Sequence, residues 1–234
     1  MIHSKQAVLP QVGAVAALIA DPSRALMLQA LADARARPAG ELARLAGVPP
    51  QTASAHLSRL LAGGLLVVHQ QGRHRYYRLR DWRVAELLEV MASLAPTIRP
   101  TAVPGDRSRQ NLQFARTCYK HLAGRVGVAI TEALCAKKFL REIDDGYNLL
   151  PEGRRWFLQM GIDIPSKSSG PFTRRCVDWS ERRYHLGGAL GGALATRLLE
   201  LQCLSRRREP RSLRLTDYGR QMLRRELSLE IEDH

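Results

Sequence analysis

The sequence predicts a mainly α-helical chain with small β-wings, an α+β fold class. Apolar residues recur at helical spacing along most of the chain. Between the predicted helices lie short segments rich in β-branched and aromatic residues, such as LLVVHQ and RYYRLR, separated by polar turns. Residues 96–108 hold three prolines and a glycine, which is typical of a linker. We therefore predict one domain at 1–95, a linker at 96–108 and a second domain at 109–234.

Composition and charge indicate the class of partner. The chain has 234 residues and a net charge of +14 with a pI near 10.5, and the basic excess is present in both halves. Such a field attracts polyanions, so nucleic acid is the first class of partner to consider and an anionic membrane the second. The longest apolar run, 11 residues from Leu186, is too short to span a bilayer. The opening residues lack a signal-peptide pattern, and we expect a cytoplasmic chain without membrane association.

The elements of the first domain follow a recognisable order. Asp21 and Pro22 begin a helix, and a second, short helix ends at Gly47. After the turn VPP, a longer helix spans about 50–62 and stops at two glycines. Two helices joined by such a turn form the helix-turn-helix pattern, and a predicted hairpin and a further helix at 81–95 follow it. The sequence therefore predicts a winged helix-turn-helix.

The helix at 50–62 has a face suited to a DNA groove. Its apolar residues fall on one side, and small or polar residues that can approach and hydrogen-bond base edges fall on the other. These are Gln51, Ser54, Ala55 and Ser58. Thr52, His56 and Arg59 lie on the flanks, where phosphate contacts are expected. The following hairpin carries Arg73, His74 and Arg75 at its predicted tip, where cationic side chains can neutralise phosphates.

Residues 15–92 resemble the winged-helix domain of ArsR-type transcriptional repressors. The resemblance is carried by DPSRALMLQAL, ELARLAGVPPQTASAHLSRLLAGGLL and GRHRYYRL. It implies a homodimer that represses transcription from a pseudo-palindromic operator until an inducer binds. Two features of metal-sensing members are missing, because ELARLAG has no cysteine pair and the helix at 81–95 has no histidine. We therefore expect the second domain to sense the inducer.

The second domain is predicted to be helical. Residues 109–142 suggest two helices or one helix broken near Gly124, and a single helix is predicted from WSERRYHLGG to about residue 203. Segments 149–157 and 215–223 echo each other, and a helix, a basic hairpin and a helix follow one another near the end. This order suggests a second, diverged winged helix. Arg206–Glu209 and Arg211 would lie at its basic tip, where they either contact phosphates or form only a solvated loop.

The four cysteines all lie in the second half of the chain, and two of them have histidines nearby. Cys118 and His121 are one helical turn apart in the predicted helix, and a second segment adds Cys176, Asp178 and His185. Thiolate and imidazole ligands suit zinc or another thiophilic divalent metal. Thiol redox chemistry, binding of another small effector, and a purely structural role in the core are the alternatives, since cysteine is often buried.

Other activities are less well supported by the sequence. A thiol enzyme would need a reactive cysteine beside a histidine, but no known nucleophile motif surrounds Cys118 or Cys176. A non-specific nucleoid or RNA-binding protein would not need the polar helix face described above. The segment GGALGGALA permits close helix packing and lacks the dinucleotide-binding pattern. We expect a regulator that is not an enzyme.

Overall fold

The structure is a computed structural model that describes residues 11–95, 107–164 and 170–232. The chain forms two compact units. The first contains the described residues up to 31 together with 35–80, and the second contains 32–34 and the described residues from 81 onwards. The helix that follows the wing thus belongs to the second unit. Of the predicted linker, 96–106 lies outside the described residues and 107–108 already begin a helix.

The first unit begins with four helices. They are α1 (Val12–Ile19), α2 (Pro22–Ala30), α3 (Ala39–Ala46) and α4 (Pro50–Ala62). The Asp21 side chain caps α2 by accepting a hydrogen bond from the Arg24 backbone N–H, as predicted. Gly47 ends α3 with its backbone in the left-handed conformation at φ 66°, which residues with a side chain rarely adopt. These stop signals place α3 and α4 in the predicted helix-turn-helix order.

A small antiparallel sheet completes the first unit. Its strands are β1 (Arg37–Pro38), β2 (Leu66–Gln71) and β3 (His74–Leu79), in the order β1-β3-β2. Leu66 pairs with Leu79 at the base of the β2–β3 hairpin, and both side chains are buried. The base of the wing is therefore anchored in the core, whereas its tip extends into solvent.

The second unit contains six helices and four hairpins within its described residues. In chain order they are α5 (Trp82–Leu94), α6 (Arg107–Phe114), β4 (Arg116–Cys118), β5 (His121–Ala123), α7 (Gly124–Ala136), β6 (Leu140–Ile143), β7 (Gly146–Leu149), α8 (Pro151–Gln159), β8 (Arg174–Val177), β9 (Tyr184–Gly187), α9 (Gly188–Glu200), β10 (Leu204–Arg206), β11 (Leu213–Leu215) and α10 (Asp217–Leu227). Each pair of consecutive strands forms its own two-stranded antiparallel sheet.

This order is a tandem repeat. The first repeat (116–159) and the second repeat (174–227) each consist of a hairpin, a helix of 13 residues, a second hairpin and a shorter helix. Both 13-residue helices start at a glycine with φ 78°, Gly124 in HLAG and Gly188 in HLGG. Their apolar faces share one core, which includes Val126, Leu190 and Phe157. The predicted helix–hairpin–helix order is present in each repeat, preceded by a further hairpin.

Two predicted helical segments are strands. Residues 116–123 form the β4–β5 hairpin, where Tyr119 lies in the turn with φ 58°, and residues 184–187 form β9. Short runs of Thr, Cys, Leu and Ala fit either helix or strand, so periodicity alone does not distinguish them. The positive φ of Gly124 and Gly188 prevents the helices from extending backward through the hairpins.

The GGALGGALA segment packs within the second unit. A Cβ on Gly191 would lie 2.2 Å from the Leu186 carbonyl oxygen, so α9 can approach its own hairpin only because glycine is present. Gly127 has the same relation to Leu122 in the first repeat, at 2.5 Å. In the part of the chain that the structure describes, no helix is both long and apolar enough to cross a membrane.

Candidate functional site

The second unit brings the predicted cysteine and histidine residues together. Cys118 and His121 face each other across the β4–β5 hairpin, and Cys176 and His185 face each other across the β8–β9 hairpin. All four side chains are buried, and the ligand atom that each offers lies within 4.8 Å of the others. We call these four residues the Cys–His cluster. Each repeat contributes one thiol and one imidazole from equivalent strands.

The prediction that Cys118 and His121 meet on one helical turn is wrong. They are cross-strand partners on either side of the Tyr119–Lys120 turn. Residues three apart lie close together in a helix and also in a tight hairpin, where they are directly opposed. The predicted proximity of Cys118 and His121 therefore holds, although the element is different. His185 is likewise on a strand, not on the predicted helix.

The distances in the cluster are short. The Cys118 and Cys176 sulfur atoms are 3.8 Å apart, and His185 Nε2 is 3.1 Å from His121 Nδ1. All four cysteines of the chain are free thiols. The two imidazole rings are tilted by 40° with their centroids 5.1 Å apart, so their nitrogen atoms meet edge to edge without stacking.

Asp178 lies behind His185 and is not among the four cluster residues. Its Oδ2 is 3.7 Å from His185 Nδ1 and accepts hydrogen bonds from the Gly124 N–H at 2.6 Å and from Arg116 at 3.0 Å. Its Oδ1 accepts from the Ser180 backbone and hydroxyl. The carboxylate therefore faces the outer nitrogen of His185 while it also caps the start of α7.

A buried charge network extends from Asp178. Arg116, which is fully buried, also donates to Glu89 Oε2 at 3.3 Å, and Glu89 in turn forms an ion pair with Arg211. Glu89 is on α5 and is 2% exposed. The prediction that Arg211 belongs to a second basic tip is wrong, because its side chain points inward to Glu89 and to the Thr117 carbonyl oxygen.

The surroundings shift the protonation of these groups. Burial lowers the pKa of His121 to about 4, so its imidazole is neutral at physiological pH. The hydrogen bond between the two thiols lowers the pKa of Cys176 and raises the pKa of Cys118. Burial alone would raise the pKa of Asp178, but Arg116 and Ser180 hold it well below its usual value. A neutral imidazole and an easily ionised thiol are the forms in which these side chains bind metals.

In the first unit, α4 presents the predicted groove face to solvent. Ala53, Leu57 and Leu60 are fully buried, which turns the opposite side of the helix outward. The exposed residues are Gln51, Thr52, Ser54, Ala55, Ser58 and Arg59. Small side chains in this row allow close approach of the helix to a groove, and the amide of Gln51 is free to hydrogen-bond a base edge.

His56 is the exception among the predicted contact residues. Its side chain is 13% exposed and faces the start of α2, where Nδ1 lies 3.4 Å from Arg24 Nη1 and Nε2 lies 4.0 Å from Asp21 Oδ1. His56 therefore connects two helices of the first unit. A phosphate contact by this side chain would require it to leave Arg24 and Asp21.

The wing carries its cationic residues in solvent. Gly72 and Arg73 form the turn, in which Gly72 has φ 59°, and Arg73, His74 and Arg75 are all exposed. His74 and Arg75 are the first residues of β3, opposite Gln71 and Gln70. The Arg75 guanidinium lies 5.7 Å from the Tyr77 ring centroid, a cation–π contact that positions it on the hairpin.

Comparisons with known proteins agree with this geometry. A family model described as a helix-turn-helix domain matches residues 19–69. The HTH-type transcriptional regulator YdfF of Bacillus subtilis (strain 168) is 40% identical over 224 residues, which cover 95% of this chain and 99% of that protein. The chain belongs to the HTH-type transcriptional regulators. Because the match to YdfF covers nearly the whole length, this regulator shares with it both units and not the DNA-binding domain alone.

Solved structures match part of the regulator. The winged helix-turn-helix domain of Mb0332 from Mycobacterium bovis, described as homodimeric and as a possible ArsR-family regulator, is 32% identical, with a TM-score of 0.36 over 40% of this chain and 86% of that one. The antimony-specific repressor AntR is 28% identical, with a TM-score of 0.35 over 40% of this chain and 87% of that one. The family model and the similarity to YdfF confirm the predicted identity as a transcriptional regulator with a helix-turn-helix DNA-binding domain.

Sequence reasoning missed the charge network of the regulator. Arg116 and Glu89 are ordinary charged residues in sequence, and only the fold shows that both are buried. The repeat was recognised only in part, from the Gly-Arg echo at the start of α8 and α10. The tetrapeptides HLAG and HLGG, at 121–124 and 185–188, are the signal that would have aligned the two Cys–His hairpins.

Proposed function

We propose that this regulator is a homodimeric, sequence-specific repressor of the ArsR type, released from its operator by an effector that the second unit binds. The observation that carries the proposal is the surface of the first unit. There, α4 exposes a continuous face of small and polar side chains above a fully buried apolar face, beside a hairpin whose exposed tip is cationic. Helix and hairpin together match the groove and backbone contacts of a winged helix.

The two parts of this surface have different tasks. Gln51 and Ser58 on α4 carry hydrogen-bonding groups that can distinguish base edges in the major groove. Arg73 and Arg75 carry charges that interact with phosphates of any sequence. We therefore expect α4 to determine the sequence specificity of DNA binding and the wing to determine much of its salt dependence.

Helix α5 supports the proposal of a dimer. It exposes an apolar stripe at helical spacing: Leu87, Val90, Met91 and Leu94, which are 36%, 42%, 39% and 80% exposed. Four such residues on one face of a helix are suited to pack against the same face of a second copy. Two recognition helices related by a twofold axis would then contact two half-sites of a pseudo-palindromic operator.

The buried position of the cysteines argues against the alternative of a thiol enzyme. Cys118 and Cys176 are 1% and 3% exposed, so a substrate has no path to either sulfur in this conformation. We therefore propose no catalytic role for the Cys–His cluster.

The test is DNA binding by purified, reduced protein, measured by fluorescence anisotropy with a fragment from upstream of its own gene and a scrambled duplex. Gln51→Ala is expected to reduce the preference for the operator by about 1–3 kcal/mol, the value of a bidentate base contact. Arg73→Ala with Arg75→Ala is expected to weaken binding to both duplexes and to flatten the salt slope by about two units.

The matched control is Arg141→Ala with Arg154→Ala, which removes two exposed arginines of the second unit. It lowers the net charge equally and is expected to leave the salt slope within about half a unit. Equal affinity for operator and scrambled DNA, or wild-type operator binding by both first-unit variants, would contradict the proposed function.

A further inference from the structure

We propose that the Cys–His cluster binds one thiophilic divalent cation of the zinc type, coordinated tetrahedrally by Cys118, His121, Cys176 and His185. The further step, that this cation is the effector that releases the operator, rests on the proposed function. Binding of the metal itself does not depend on it.

The sulfur–sulfur and nitrogen–nitrogen separations in the cluster are those of a coordination tetrahedron, and all four donor atoms lie within 4.8 Å of one another. With Zn–S near 2.3 Å and Zn–N near 2.05 Å, a tetrahedral site places two sulfurs about 3.8 Å and two nitrogens about 3.3 Å apart. The observed separations are 3.8 Å between the cysteine sulfurs and 3.1 Å between His185 Nε2 and His121 Nδ1. The cluster can therefore hold a metal with small adjustments of side-chain angles.

The groups behind the donors match a metal site. His185 Nδ1 is buried and has no hydrogen-bond partner, yet it faces the Asp178 carboxylate at 3.7 Å. Histidines that bind metals through one nitrogen commonly present the other to a carboxylate, which fixes the ring orientation and raises its basicity. Asp178 is itself held by Arg116 and Gly124, so it is a positioning residue with a fixed geometry.

Glycines leave room around the cluster. A Cβ on Gly187 would lie 3.3 Å from Cys176 Cβ and 3.5 Å from His121 Cε1, and a Cβ on Gly191 would lie 3.2 Å from His121 Cβ. Larger residues at either position would press on the donors. The second repeat thus has glycines at the positions against which His121 of the first repeat packs. This is expected of a site to which both repeats contribute.

The network beyond Asp178 offers a route from the metal to DNA binding. Asp178 pairs with Arg116, and Arg116 pairs with Glu89 on α5, the helix that carries the apolar stripe. A cation beside His185 changes the charge that Asp178 and Arg116 experience, and this change reaches Glu89 through one further ion pair. Occupancy of the site can in this way bias the pairing of α5 between two copies.

The first experiment measures metal binding by full-length, reduced protein without DNA. Co²⁺ serves as the probe, and we expect one Co²⁺ per chain with intense thiolate charge-transfer and tetrahedral ligand-field absorption, both displaced by one equivalent of Zn²⁺. Cys118→Ser and Cys176→Ser each keep one thiolate, so they are expected to weaken the thiolate bands and to lower the affinity for Zn²⁺ by at least about 100-fold. Cys135→Ser is the control, because this half-buried cysteine on α7 lies outside the cluster and its variant is expected to behave like wild type.

Melting curves and mass spectrometry keep the result interpretable if a variant folds poorly. Zn²⁺ is expected to raise the melting temperature of the wild type and of Cys135→Ser. A wild-type protein that folds but shows neither cobalt bands nor this rise would overturn the proposed site. So would a Cys118–Cys176 disulfide, seen as a loss of 2 Da on oxidation, in a protein that binds no Zn²⁺ when reduced.

A second experiment separates the site from its regulatory role. Operator affinity is measured with and without one equivalent of Zn²⁺ for the wild type, Cys176→Ser and Cys135→Ser. We expect Zn²⁺ to weaken operator binding by the wild type and by Cys135→Ser at least about 10-fold, a typical allosteric coupling, and to leave Cys176→Ser unchanged. Stoichiometric Zn²⁺ binding with unchanged operator affinity would overturn the effector role alone. Failure of the metal-free protein to recognise the operator would overturn the proposed function and leave the metal site standing.

Discussion

Single residues in the second unit carry more charge into the interior than the sequence suggests. Arg116 is fully buried and has two acidic partners, Asp178 and Glu89. A buried ion is tolerated only when its partners stay charged and close, because the desolvation cost of each ion is several kcal/mol. Each member of this network therefore depends on the others, and the loss of one leaves a charge without compensation.

Glu89→Gln is expected to destabilise the second unit by about 3–5 kcal/mol, because Arg211 and Arg116 lose a shared counter-charge in the interior. Glu86→Gln is the matched control on the same helix. Its partner Arg174 also lies over the Trp82 ring, and the Glu86 side chain is 36% exposed, so a loss below about 1 kcal/mol is expected. Urea unfolding followed by tryptophan fluorescence measures this unit selectively, because all three tryptophans lie within it. Equal losses in the two variants would contradict the assigned role of Glu89.

The pH dependence of the same residue has a defined sign. Burial alone would raise the pKa of Glu89, but Arg211 and Arg116 lower it below its ordinary value. Its contribution is therefore present above the unfolded pKa, about 4.3, and is lost as the pH falls through the lower folded pKa. Glu89→Gln should flatten this acid-side loss in urea unfolding series collected between pH 6 and pH 3, whereas Glu86→Gln should keep the wild-type slope.

At the scale of elements, the sequence predicts the first unit much better than the second. Helix α2 begins at Pro22, α3 is ended by Gly47 and α4 is ended by the Gly63–Gly64 pair. These boundaries can be predicted because proline and glycine act locally through backbone conformation. The hairpins β4–β5 and β8–β9 have no comparable local signal. Their strands are short and only partly periodic in burial, and their pairing is decided by long-range packing that periodicity does not contain. The members of the Cys–His cluster were nevertheless identified, because their chemistry is unusual whichever element carries them.

Gly191→Ala tests the close packing of α9 on its hairpin. We expect a loss of about 1–3 kcal/mol, because the added methyl would overlap the Leu186 carbonyl oxygen and force α9 away from β9. Gly192→Ala is the neighbouring control. Its Cβ would meet Lys120 Cβ at an ordinary 3.6 Å, so the better helix propensity of alanine should stabilise the protein by about 0.5–1 kcal/mol. Opposite signs in urea unfolding are expected, and a stabilising Gly191→Ala would refute the packing argument.

At the scale of the whole molecule, the apolar stripe on α5 is the surface through which two copies would associate in the proposed dimer. A single copy exposes an apolar row, formed by Leu87, Val90, Met91 and Leu94, and the proposed dimer would bury it. Since α5 also carries Glu89, the face that would pair in the proposed dimer and the buried ion pair belong to the same helix. Dimerisation and the state of the second unit are therefore expected to be linked.

Val90→Glu is expected to convert the dimer to a monomer in size-exclusion chromatography with light scattering, because pairing would bury two new carboxylates without partners. Operator affinity should fall by at least about 100-fold, since one half-site contact is lost. Leu158→Glu, at a 56% exposed leucine of α8, is the control and should remain dimeric with wild-type affinity. A dimeric Val90→Glu would remove α5 from the interface.

Duplicated segments of a chain ordinarily make each other dispensable, because one copy can change while the other keeps the task. The two repeats of the second unit lack this freedom. Cys118 and His121 come from one copy and Cys176 and His185 from the other, so neither copy holds more than half of the cluster. Here duplication has produced mutual dependence in place of redundancy. A damaging substitution in either copy removes part of the one cluster that both copies form.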